Sequence, residues 1–161
     1  MDAVRNNTDA ADTTKTVDQL NSFLRGEIAA AETYRMAIGK IAKSDRDSEA
    51  HSVGLLQGIQ EEHQRAISAI RDRIKEMGGE ASDSSGAWGA WATSVQGTMN
   101  LFGDASALKG LKEGEEHGLK DYQSGHDNVD ASTRQLIQNQ MIPAQQRHVA
   151  MLDQLISTVK G

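Results

Sequence analysis

The chain has 161 residues, a net charge of −6 and no cysteine. That bounds it to one domain long enough to bury its own core, and it excludes disulfides, iron–sulfur clusters and thiolate zinc sites. With a single proline, few β-branched residues and 4% aromatics, an all-α fold is favoured over any sheet. The acidic balance, with no basic cluster interleaved with aromatics, argues against nucleic acid as a partner.

Residues 1–13 are polar and read as a disordered tail, with Asp12, Thr13 or Thr14 available to cap the first helix. From 14 to 161 the chain reads as a single domain. Val17, Leu20, Phe23, Leu24, Ala31, Tyr34, Ile38 and Ile41 recur at three- and four-residue spacing, which predicts a first helix over about 14–43. Glu27 falls on its apolar face. Leu56, Ile59, Ala66, Ile67, Ile70, Ile74 and Met77 predict a second helix over 47–77, with His63 at heptad spacing between Leu56 and Ile70. A glycine stop after Met77 opens a long crossover, within which Trp88, Trp91, Val95, Met99 and Phe102 keep helical spacing over about 87–101. The tryptophans read as a hydrophobic plug. Leu101, Leu108, Leu111, Leu119 and Tyr122 surround Glu115 in a third helix over 104–126, with Asp104 as a plausible cap. Ile137, Met141, Met151, Leu152, Leu155 and Val159 surround His148 in a fourth over 131–159, where Pro143 implies a kink or a helix start. No apolar run approaches the ~18 residues that span a bilayer, so no membrane is expected, and without a basic-then-apolar leader the expected location is cytoplasmic.

Each helix thus carries one polar residue inside its apolar stripe: Glu27, His63, Glu115 and His148. A carboxylate or imidazole in an apolar interior needs a partner, because an unpaired buried charge costs several kcal/mol or is neutralised. A turn near Asp45 puts Glu27 and His63 at one height of an antiparallel pair; a turn near Asp130 puts Glu115 level with Gln145, one helical turn from His148. The chain also repeats itself. Leu20, Phe23, Gly26, Glu27 and Tyr34 return 88 residues later as Leu108, Leu111, Gly114, Glu115 and Tyr122, and Gln-x-x-His occurs as Gln60/His63 and Gln145/His148. A Gln at i and a His at i+3 share a helix face and can serve one site.

These residues resemble the ferritin-like and rubrerythrin-like di-metal carboxylate proteins, whose pattern is a Glu on helices one and three and Glu-x-x-His on helices two and four. The resemblance runs from about Val17 to Val159. Met77 to Gly79, the Trp-containing segment and Ile142 to Gln145 are similar, more weakly, to a group of uncharacterised bacterial four-helix-bundle proteins labelled only as a domain of unknown function. The resemblance implies a ferritin-like antiparallel four-helix bundle with a long, partly helical crossover between helices two and three. It further implies a central iron or zinc site of one or two ions, with Glu27, His63, Glu115 and His148 as ligands, Gln60 and Gln145 as weak ligands or donors beside it, and Tyr34 and Tyr122 bonding nearby. If the metal is iron, the implied activity is oxidation of ferrous iron by oxygen or peroxide, with stress defence as a setting.

The sequence departs from the pattern at both bridging carboxylates, which are Gln60 and Gln145. A neutral amide bridges poorly and supplies no charge, so two carboxylates and two imidazoles suit one divalent ion better than two ferric ones and put catalysis in doubt. Glu62 and Glu116 lie about 100° of rotation from the ligand positions, within reach only if the helix turn shifts locally. The competing expectation is a non-catalytic structural or stress bundle with a vestigial, metal-free core, in which Glu27 pairs with His148 and Glu115 with His63. His51 and His126 read as solvated or loop residues, and His117 as off the Glu115 face. Gly54/Gly58 and Gly110/Gly114/Gly118 recur every four residues, as close helix packing or a homodimer contact would require.

Overall fold

A computed structural model describes residues 2–43, 49–90, 93, 97 and 104–160. Its elements are α1 (Asp2–Ile41), α2 (Glu49–Glu76), a 3₁₀ turn (Gly86–Trp88), α3 (Asp104–Gly125), a second 3₁₀ turn (His126–Asn128) and a last helix, α4, built from Ala131–Leu136, a π turn at Ile137–Met141 and Ile142–Lys160. No strand occurs among the described residues, and no helix there is long and apolar enough to cross a membrane. The turn expected near Asp45, and Trp91, Val95, Met99, Leu101 and Phe102 of the crossover, lie outside the described residues.

The four helices form two antiparallel pairs, α1 with α2 and α3 with α4, and α1 also lies along α3. Side-chain contacts fix the directions. Tyr34 meets Glu115 while Tyr122 meets Glu27, so α1 and α3 run antiparallel. Because α2 and α3 are each antiparallel to α1, they run the same way, and the connection between them must return the chain along the bundle. That requirement explains its length.

The apolar stripes fold inward as two clusters. One gathers Tyr34, Ile41, Leu56, Ile59, Leu108, Leu111, Leu152 and Leu155. The other gathers Leu20, Phe23, Leu24, Ile67, Ile70, Ile74, Tyr122, Ile137 and Met141. In α2, α3 and α4 the polar residue of the stripe falls between the two, while in α1 the second cluster runs past Glu27 to Ile28 and Ala31 before Tyr34 opens the first; the polar residues thus form a layer where the two apolar clusters meet.

The helix ends obey local rules. Gly78, at φ +73°, ends α2: Gly78 N–H donates to Lys75 O and Gly79 N–H to Ile74 O, the paired bonds of a left-handed glycine stop. The crossover is then strapped to α1 by Asn21, which donates to Glu80 O and accepts from Ser82 N–H, and by Arg25, which donates to Ser82 Oγ. Asp130 caps α4 by accepting from Thr133 N–H at 3.0 Å. It also pairs with Arg73 of α2 at 2.6 Å, and its N–H donates to Thr16 of α1. Asp130→Ala should therefore lower stability by about 1–2 kcal/mol, read as a shift in the urea midpoint without a change in slope.

Two expectations need correction, and the one at Pro143 is met in part. Residues 2–13 are helical, an extension of α1, although they carry no apolar stripe; residues 9–12 are exposed, and Thr13 and Thr14 bond back to the carbonyls of Asp9 and Ala10 rather than capping a helix start. Pro143 is the second residue of Ile142–Lys160, where a helix segment does start, directly after the π turn. Its ring crowds the preceding turn and it has no N–H to give; the π turn just before it, with Ile142 N–H bonded to Ile137 O, widens the helix and lets it run on. The Cβ positions of Gly54 and Gly58 face open space, so close packing within the chain does not explain that pair.

Candidate metal centre

The polar layer closes on His63. Its Nδ1 lies 2.6 Å from Glu27 Oε2 and its Nε2 2.8 Å from Glu115 Oε1, so one imidazole from α2 joins carboxylates from α1 and α3. His148 Nδ1 lies 3.2 Å from Glu115 Oε2, and the two imidazole rings stand 5.0 Å apart. All four residues are at most 5% exposed.

The tyrosines complete the layer through the repeat. Tyr34 donates to Glu115 Oε1 at 2.6 Å and Tyr122 to Glu27 Oε1 at 2.5 Å. Each tyrosine sits seven residues, two helical turns, beyond the glutamate of its own helix. In an antiparallel pair that spacing delivers each hydroxyl to the other helix's carboxylate, which is the physical use of the repeated Glu and Tyr.

Electrostatics follow from burial and pairing. Burial alone lowers the pKa of His63, but Glu115 and Glu27, one on each ring nitrogen, overcome it and push the imidazolium up to about 10. Burial raises Glu115, yet His63 and His148 pull it well below the usual carboxylate range. The Tyr34 and Tyr122 hydroxyls are raised well above their ordinary value, first by burial and then by the carboxylates they face, which keeps both as neutral donors.

Glu62 is the residue that helical rotation placed off the site and the structure brings to it. Its Oε2 accepts from His148 Nε2 at 2.9 Å and from Arg147 Nη2 at 3.1 Å, with 31% of the side chain exposed. Burial is the largest single influence on the Glu62 carboxyl and raises it, but the bonds and charges of His148 and Arg147 together outweigh it and lower its pKa. Glu116, by contrast, is exposed and pairs with Lys112. The two glutamines part company. Gln145 is buried beside the cluster, where its amide donates to Glu115 O at 3.3 Å and lies over Gly118, whose lack of a Cβ lets the amide approach. Gln60 turns the other way, to Ala31 O at 3.4 Å, and lines an outer groove with Glu32 and Arg35. The direct pair of Glu27 with His148 is not formed: His63 stands between them and takes Glu27 for itself.

His51, His117 and His126 are away from the layer, as the pattern suggested. His126 Nδ1 bonds Gln123 O, and His117 meets Trp88 edge-on with ring centroids 4.8 Å apart. Trp88, half-buried, lies over Gly26 and helps cover a cavity of ≈ 40 Å³ lined by Glu27, His63, Glu115 and Gln145. That space is enough for a few waters or an ion with some of its solvent.

Donor atoms of His63, Glu115 and His148 all lie within 4.8 Å of one another, close enough to hold one metal ion. Nitrogen and carboxylate donors together suit iron or zinc, whereas calcium and magnesium sites use oxygen alone. The helical arrangement is shared with a solved structure described as ferritin-like, diiron-carboxylate proteins from Bacillus anthracis str. Ames. The two match with a TM-score of 0.70 at 16% identity over 90% of this chain and 97% of that one. The chain has the ferritin-like fold. No protein-family model matches the chain, and no curated protein does. A buried His/Glu/His cluster at the centre of a ferritin-like bundle suggests metal binding.

Proposed function

We propose that this ferritin-like protein binds a divalent metal ion, iron or zinc, in its central Glu/His layer. The observation that carries the reading is the convergence of His63, Glu115 and His148 donor atoms inside the bundle; the description of its structural neighbour as a diiron-carboxylate protein favours iron. A bound ion would supply Lewis acidity and, as iron, electron transfer to oxygen or peroxide. The residues around it supply charge, orientation and dryness. Glu27 and Glu115 offset the positive charge, the tyrosines hold the carboxylates, and the two apolar clusters keep bulk water out. Oxidation of ferrous iron is the family chemistry this reading extends to. Gln60 and Gln145 weigh against it, because both amides are spent on backbone carbonyls and neither adds a negative charge. A cytoplasmic setting accords with the cysteine-free sequence.

A second reading has its own support. Every carboxylate oxygen of Glu27 and Glu115 already accepts a hydrogen bond, so the layer can stand as a closed polar network in a structural bundle. Thermal unfolding separates the two. Zinc or anaerobic ferrous iron at 100 times its dissociation constant stabilises by about 2.7 kcal/mol, a rise of roughly 5–10 °C for a chain of this size, and chelator should reverse it. An unchanged melting temperature with both metals would favour the structural bundle.

A further inference from the structure

We propose that the centre holds one ion on three side chains, His63 through Nε2, His148 through Nδ1 and Glu115, and that Glu27 and Glu62 are positioning residues that hold the two imidazoles from behind. The proposal rests on the metal-binding reading above and assigns its atoms.

An imidazole has two nitrogens on opposite sides of its ring, and a partner on one fixes the proton there and leaves the other to bind. His63 Nε2 and His148 Nδ1 both face Glu115, at 2.8 and 3.2 Å. The opposite nitrogens each face a different carboxylate: His63 Nδ1 meets Glu27 at 2.6 Å and His148 Nε2 meets Glu62 at 2.9 Å. Three donors therefore lie within 4.8 Å of one another, with a carboxylate behind each ring. Glu27 stands outside the converging group, and its second oxygen is taken by Tyr122. Glu62 is steadied by Arg147 at the mouth of a groove between α2 and α4. A second ion would need further carboxylates on the inner helix faces. The residues at those positions are Gln60 and Gln145, whose amides point to backbone carbonyls.

This assignment makes Glu27 and Glu115 unequal, although the internal repeat makes them look alike. The test is to load histidine-¹⁵N-labelled full-length protein with zinc, count ions by elemental analysis, and record long-range imidazole ¹H–¹⁵N spectra. The expected result is one zinc per chain, His63 with Nδ1 protonated and Nε2 bound, and His148 with the reverse. Glu27→Gln and Glu62→Gln keep an acceptor behind each ring; each should retain one zinc with affinity about 10–100-fold weaker and disturb only its own histidine's N–H signal. Glu115→Gln should retain none. Zinc on His63 Nδ1, two ions per chain, or loss of zinc from a Glu27→Gln protein whose circular dichroism is native would overturn the assignment and leave metal binding intact. Wild-type protein that retains neither zinc nor ferrous iron offered anaerobically would overturn both.

Discussion

Glu115→Ala should destabilise the metal-free protein by about 3–5 kcal/mol, a fall in melting temperature on the order of 10 °C. Glu115 is 2% exposed and accepts from Tyr34, His63 and His148 at once. Removing it leaves three donors turned toward an apolar interior and deprives the His63 imidazolium of one of its two counter-charges. The cost is dominated by those stranded groups rather than by the worth of the intact pairs, since a buried ion pair against an apolar replacement can break even. Exposed Glu113, two residues away, serves as the control, and its alanine variant should stay within about 0.5 kcal/mol of wild type. Chemical denaturation of both variants checks this. A loss below about 1 kcal/mol in Glu115→Ala would mean the layer is hydrated and the pairs are weak.

The second large effect is on pH. In the metal-free fold His63 titrates near 10 against an ordinary 6.5, so its contribution is complete below about pH 6.5 and is lost as pH rises through 10. Glu115 moves the opposite way: its folded pKa lies below the ordinary 4.5, and its contribution is present above that value and lost in acid. Metal-free protein should therefore be most stable between about pH 4.5 and 6.5 and lose several kcal/mol by pH 10. The neutral Tyr34 and Tyr122 steepen the alkaline limb, since the unfolded chain ionises them first. With an ion present the trend reverses, because protons compete with metal for the imidazoles and binding tightens as pH rises. Melting temperatures across pH 5–10 with and without zinc measure both limbs. A metal-free curve flat from pH 6.5 to 10 would show that His63 is not held as a charged pair.

The four residues of the polar layer were legible because each interrupts an otherwise apolar stripe, and three- or four-residue spacing says which face a position takes. Their common height was legible from helix rise. Glu62 was legible only as a conditional candidate, because rotation alone puts it about 100° from His63; it reaches the site because its side chain is long and His148 on α4 offers a second nitrogen toward α2. Gln60 failed for a related reason: sharing a face with His63 left open which way its amide would turn, and Ala31 O captured it. Half of the expected pairing formed: Glu115 does meet His63, but helix heights do not say which diagonal of a bundle is shorter, and His63 took Glu27 as well. The helical start of α1 had no apolar signal to announce it. Pro143 announced a disturbance correctly, and only the backbone decides whether such a disturbance becomes a kink, a break or a widened turn.

The most direct test of a metal-binding centre is the ion content of untagged protein offered ferrous iron aerobically and, separately, zinc, with excess removed, beside a His63→Ala/His148→Ala variant confirmed to be folded. About one tightly held ion per wild-type chain and none in the variant is the expected result. Wild-type protein that keeps no ion, or a variant that keeps as much as wild type, would contradict a metal centre in the polar layer and leave the ferritin-like fold as a scaffold.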